Sequence, residues 1–70
     1  MDKPAEVEEV AGLPVRVGEQ RITHILDSYR VWPSWWEGQP PRDYYLVQIQ
    51  EKTVEIYRTL EGWFYSKTLD

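Results

Sequence analysis

The chain has 70 residues, 41% of them apolar and 29% charged, a composition that fits one small folded domain rather than a disordered chain. It holds no cysteine, which excludes disulfide staples, thiol catalysis and cysteine-based zinc sites, and no stretch approaches the ~18 apolar residues of a membrane span. Net charge is −4: residues 1–12 carry four acids against Lys3, and residues 13–70 eight acids against seven bases. The body is therefore nearly neutral and lacks the basic excess from which a dedicated nucleic-acid binder draws its affinity.

In chain order, residues 1–12 show one proline, scattered small apolar residues and no clean period. They read as a flexible acidic leader, too acidic for a signal peptide, with Gly12 and Pro14 closing it. Residues 13–70 form the folded domain. Val15 and Val17 alternate with Arg16, and Gly18-Glu19 supplies a turn. Residues 20–32 are one long β-like run whose phase slips, because Ile22 and Leu26 share a face that excludes Ile25. A bulge near Asp27-Ser28 is expected to reset it and turn Tyr29 and Val31 inward.

The loop at residues 33–42 is rich in Trp and Pro. Ser34 and Glu37 have capping-box spacing, which places Trp35-Trp36 in one short helical turn. Along residues 43–50, Tyr45, Val47 and Ile49 point one way and Tyr44, Gln48 and Gln50 the other. Leu46 breaks the alternation and implies that the outer face is partly covered. Glu51-Lys52 then reads as a hairpin turn, and Glu61-Gly62 as the next, with Val54 and Ile56 inward between them. The last strand, residues 63–69, sets Trp63, Tyr65 and Leu69 against Phe64, Ser66 and Thr68. The pattern predicts an all-β domain, a curled antiparallel meander or small barrel of about five strands.

No spacing of acids singles out a catalytic pair, His24 is the sole histidine, and no nucleophile elbow, phosphate loop or metal motif is present. The sequence predicts no enzyme activity, no metal and no cofactor. Four Trp, five Tyr and one Phe remain to be explained. Each Trp buries roughly 150–250 Å², which a chain this short needs for its core. The functional alternative is an aromatic platform that grips an apolar peptide or stacks bases. Trp35 and Trp36, with Tyr44 and Arg42, are the candidate residues for a protein partner. Arg30, Tyr57 and Arg58, basic and aromatic residues side by side, are the alternative candidates for single-stranded nucleic acid. Homo-oligomerisation through the tryptophan loop is a third arrangement.

The run Arg21-Ile22 … Ile25-Leu26-Asp27-Ser28-Tyr29-Arg30-Val31 … Trp35-Trp36, followed by Asp43-Tyr44-Tyr45-Leu46-Val47 and by Glu55-Ile56-Tyr57-Arg58-Thr59-Leu60-Glu61-Gly62-Trp63-Phe64-Tyr65 … Leu69-Asp70, resembles a small bacterial domain family of unknown function. The likeness covers residues 15–70. It extends to the C-terminal tail of the inactive Y-family polymerase-like subunit of mutagenic DNA-repair cassettes. The resemblance implies a cytoplasmic interaction module tied to DNA repair or translesion synthesis, with a component of that repair polymerase as partner. This chain departs from the pattern in two respects. It is net acidic where relatives are rich in arginine, and it has Glu51-Lys52 where they carry an Asp-Gly turn. The first departure weakens any implication of direct DNA binding.

Overall fold

The computed structural model describes residues 3–33, 38 and 40–69, and every regular element among them is a strand. The strands are β1 (Pro4–Ala5), β2 (Val7–Val10), β3 (Leu13–Val17), β4 (Gln20–Val31), β5 (Arg42–Ile49), β6 (Lys52–Thr59) and β7 (Gly62–Leu69). All neighbours pair antiparallel, in the order β1-β7-β6-β5-β4-β3-β2, and the sheet curls into a half-barrel. The all-β meander expected from the sequence is thus the fold, with seven strands in place of about five.

The two additional strands lie in the segment expected to be a leader. Residues 4–10 are one run of chain that changes partner at Glu6. β1 lies on β7, with Pro4 opposite Phe64, and β2 lies on β3, with Val7 opposite Val17. The Lys3 carbonyl accepts the Tyr65 N–H at 2.8 Å, and the Glu6 carbonyl accepts the Gly18 N–H at 2.7 Å. The two ends of the sheet are therefore tied together by the same segment. Its alternation is of small residues: Ala5 and Val7 pack against the core while Glu6 and Glu8 stay in water. Small side chains interleaved with acids give little hydrophobic contrast, so the period is faint until the partner strands are known.

The core follows from period-two alternation. Tyr45, Val47 and Ile49 on β5 meet Val54 and Ile56 on β6, with Trp63 on β7 and Val17 on β3 completing it. Ala5, Val7 and Ile22 pack around that cluster. The outer face is covered as well, as Leu46 implied, for Tyr57 and Glu55 there are also buried. Positive φ at Ala11 and Gly12 forms the β2–β3 turn, and Gly18 leads the β3–β4 turn, both suited to the right-handed twist of a hairpin.

Two turns fall one residue earlier than expected. Ile49 pairs with Lys52, so the turn is Gln50-Glu51; Thr59 pairs with Gly62, so the next is Leu60-Glu61. Leu60 stands 86% exposed at that turn.

β4 carries two register shifts, between Ile22 and His24 and between Ile25 and Asp27. The first brings Ile22 and Ile25 onto one face, opposite Ile49 and Val47. The second resets the phase once more, so that Tyr29 and Val31 point outward, opposite Tyr44 and Arg42, against the expectation that they face inward. The single bulge read from the sequence lies close to the second of these. Ser66 is the corresponding extra residue on β7, because Glu55 pairs with Lys67 and Ile56 with Tyr65. The helical turn expected at Ser34–Glu37 lies outside the described residues.

Candidate interaction site

Adjacent residues of a strand face opposite sides of the sheet, and residues paired across strands share a side. These two rules sort the candidate residues into separate rows. On the outer face, Tyr29, Tyr44, Tyr57 and Phe64 form a row across β4, β5, β6 and β7. Tyr29 and Tyr44 stack nearly parallel with ring centres 5.2 Å apart; Tyr44 and Tyr57 follow at 5.0 Å, then Tyr57 and Phe64 at 5.5 Å. Each such pair contributes ~0.5–1.5 kcal/mol beyond area burial, so the row is a stiff surface. The Arg42 guanidinium lies 5.2 Å from the centre of the Tyr57 ring, in range of a cation–π contact.

At the β7 end of this row the surface falls into a cavity of about 400 Å³. Tyr57 and Phe64 line it together with Pro40, Arg42 and the β6–β7 turn residues Thr59, Leu60 and Glu61. At the β4 end, the Tyr29 hydroxyl donates to Glu55 at 2.6 Å. Ionising that phenol beside the Glu55 carboxylate loses the hydrogen bond and sets two negative charges together. The Tyr29 hydroxyl is accordingly pushed up to about 12. Glu55 is the one buried charged residue among those described, and the bond from Tyr29 gives it a polar partner.

On the inner face, one residue away along every strand, the row is Arg30, Asp43, Arg58 and Trp63. Arg30 Nε donates to Asp43 Oδ1 at 2.7 Å, and Arg58 Nη2 to Asp43 Oδ2 at 3.2 Å. Arg58 Nη1 reaches Glu9 Oε2 at 3.3 Å, and Glu9 Oε1 also accepts the Trp63 indole N–H. Arg58 lies over the Trp63 ring and Arg30 over Trp32, at 5.5 and 5.8 Å. The Arg30 and Arg58 guanidiniums hold the Asp43 carboxyl below the ordinary range, and Asp43 raises both arginines in return. This network clamps β2 to β6 and β7, a structural task.

The candidates therefore divide. Arg42 and Tyr44 lie together on the outer face and share it with Tyr57. Arg30 and Arg58 lie on the opposite face, spent on acids, so the proposed set of Arg30, Tyr57 and Arg58 does not form one groove. Trp35 and Trp36 lie outside the described residues. Phe64 and Tyr29, the two ends of the aromatic row, were not singled out from the sequence. Only the register between strands brings them into line, and no local spacing announces it. His24 is exposed on β4, and among the described residues no three His, Asp or Glu side chains are grouped to hold a metal. Among the same residues no helix is long and apolar enough to cross a membrane.

No protein-family model, curated protein or solved structure matches the chain.

Proposed function

We propose that this chain is a non-catalytic interaction module that takes an apolar side chain of a protein partner into the cavity beside Tyr57 and Phe64. The observation that carries this reading is the ordered aromatic row ending in an open cavity with Arg42 at its rim. Binding surfaces of this kind combine rigid aromatic anchors with a polar rim, and an arginine there orients the incoming chain. Arg42, Tyr44 and Tyr57 form the described part of the site, and Trp35 and Trp36 belong to the same loop as Pro40. The resemblance noted from the sequence points to a bacterial, cytoplasmic role in DNA repair or translesion synthesis, with a polymerase component as the partner.

The test is a photo-reactive phenylalanine placed at Leu60, on the exposed rim, in cells that express the protein. The expected result is one dominant protein crosslink, lost on Arg42→Glu and not reproduced from Lys52 at the far end of the sheet. Equal crosslinking from both positions would sink the reading.

Single-stranded nucleic-acid binding is the alternative, and it has less support, because Arg30 and Arg58 pair with Asp43 and face away from Tyr57. Titration of labelled oligothymidine at low and moderate salt separates the two. A phosphate-driven contact quenches Trp fluorescence at low salt and loses that effect as salt rises, whereas an apolar site responds at neither.

A further inference from the structure

β4 is twelve residues long, yet among the described residues only Gln20 and Arg21 have a partner strand on its β3 side. Residues 22–31 pair with β5 alone, which leaves a row of backbone N–H and C=O groups pointing away from the sheet. Among the described residues no backbone hydrogen bond from a loop covers that edge. Its side chains are apolar to an unusual degree for open surface: Ile25, Leu26, Tyr29, Val31 and Trp32 are all exposed.

Proteins protect such edges with lysine, proline, bulges or a covering loop. Here both bulges lie in the first half of the edge. From Asp27, opposite Leu46, to Val31, opposite Arg42, pairing with β5 is regular, and the stretch has neither lysine nor proline. It is a straight template for one more antiparallel strand.

We infer that the strand it accepts is β4 of a second copy of this chain, paired across a two-fold axis at Tyr29. A two-fold axis normal to a sheet sets each residue opposite one of its own facing class, so only a few registers are open. An axis at Arg30 puts two guanidiniums directly opposite each other, and one at Ser28 sets the bulged Leu26 against Arg30. The axis at Tyr29 avoids both. It places Tyr29 against Tyr29 of the second copy, Asp27 against Val31 and Ser28 against Arg30. Each Arg30 is already neutralised by its own Asp43 at 2.7 Å, so the two arginines tolerate the diagonal approach. The aromatic row, which ends at the half-exposed Tyr29, then continues from four rings to eight across both copies. The joined edge also covers Leu26 and Val31. This contact uses the end of the row remote from the cavity and is independent of the function proposed above.

Sedimentation equilibrium of the full chain between about 10 μM and about 1 mM tests the inference. The mass is expected to rise with concentration from 8.4 kDa towards twice that value. Ser28 is exposed on the open edge, opposite Tyr45, so two substitutions there probe the register. Ser28→Lys sets like charges opposite Arg30 of the second copy at two symmetry-related places and is expected to weaken the dimer roughly fivefold to tenfold. Ser28→Glu sets opposite charges there and is expected to strengthen it by a similar factor.

A monomer at every concentration overturns the inference and leaves the edge to a strand from another protein. A dimer indifferent to both substitutions overturns it as well, since the interface then lies elsewhere. Amide exchange in the unaltered chain gives a readout that needs no variant. Protection of residues 27–31 must grow with concentration, and its failure to do so counts against the pairing.

Discussion

Asp43 receives one arginine from each neighbouring strand, Arg30 from β4 and Arg58 from β6, and is itself only partly exposed. Its folded carboxyl is held below its ordinary 3.8, chiefly by the hydrogen bond from Arg30. A depressed acid contributes stability that is present above the unfolded value and lost as pH falls through the folded one. Asp43→Asn keeps the shape and removes the charge. It is expected to lower stability by about 1 kcal/mol at neutral pH, a figure restrained by the solvent exposure of the network. Urea unfolding of the two proteins should show the gap closing as pH falls below about 4, where the carboxyl of the unfolded chain protonates first, and vanishing once the folded carboxyl has protonated as well. A gap that stays constant down to the acid limit contradicts the electrostatic role. The Tyr29–Glu55 bond on the outer face has the opposite sign. A phenol raised to about 12 keeps its full contribution below its unfolded value of 10 and loses it only above that.

At the scale of elements, the hairpin turns decide how far each strand reaches, and two of them hold a non-glycine residue at positive φ, Ala11 and Gln50. Gln50 has φ 55°, in the left-handed region that costs a side chain with a Cβ roughly 1 kcal/mol. Asn tolerates that conformation without the unfolded-state entropy that Gly introduces. Gln50→Asn is therefore expected to raise stability by about 0.5 kcal/mol, seen as a higher urea midpoint with unchanged slope. A lower midpoint would place the strain elsewhere. The same turn shows why its position was misread by one residue. Glu51-Lys52 is the more polar pair, but Lys52 is held opposite Ile49 by the ladder, and cross-strand pairing outweighs local turn preference. β4 illustrates the reverse. Its broken period was visible in Ile22, Ile25 and Leu26, and the structure resolves it with two bulges, which send Tyr29 outward to stack on Tyr44.

For the whole molecule, the decisive event is the return of residues 4–10 to both ends of the sheet. Ala5 and Val7 complete the core, and Glu9 binds Arg58 and Trp63, so the segment contributes on both counts. A chain of 70 residues buries only ~60% of its unfolded surface, which leaves little margin for the loss of a core strand. Deleting residues 1–10 is accordingly expected to abolish cooperative unfolding as followed by far-ultraviolet circular dichroism; an unchanged thermal midpoint would return the segment to the status of a leader. The long strands were legible because period-two alternation is local: Tyr45, Val47 and Ile49, or Val54 and Ile56, declare an inner face without reference to anything distant. Tyr44 and Tyr57 could likewise be assigned to the outer face from their own strands. What the sequence alone determined, then, was the all-β class, the meander and the facing of β5 and β6, whereas bulges reversed the expected facing of Tyr29 and Val31 on β4 and of Thr68 and Leu69 on β7. Closure by residues 4–10, the outward turn of Tyr29, the alignment of four rings and the diversion of Arg30 and Arg58 to Asp43 were decided by the tertiary structure. Each depends on register between strands 13 to 54 residues apart, where a single bulge moves every following side chain to the other face.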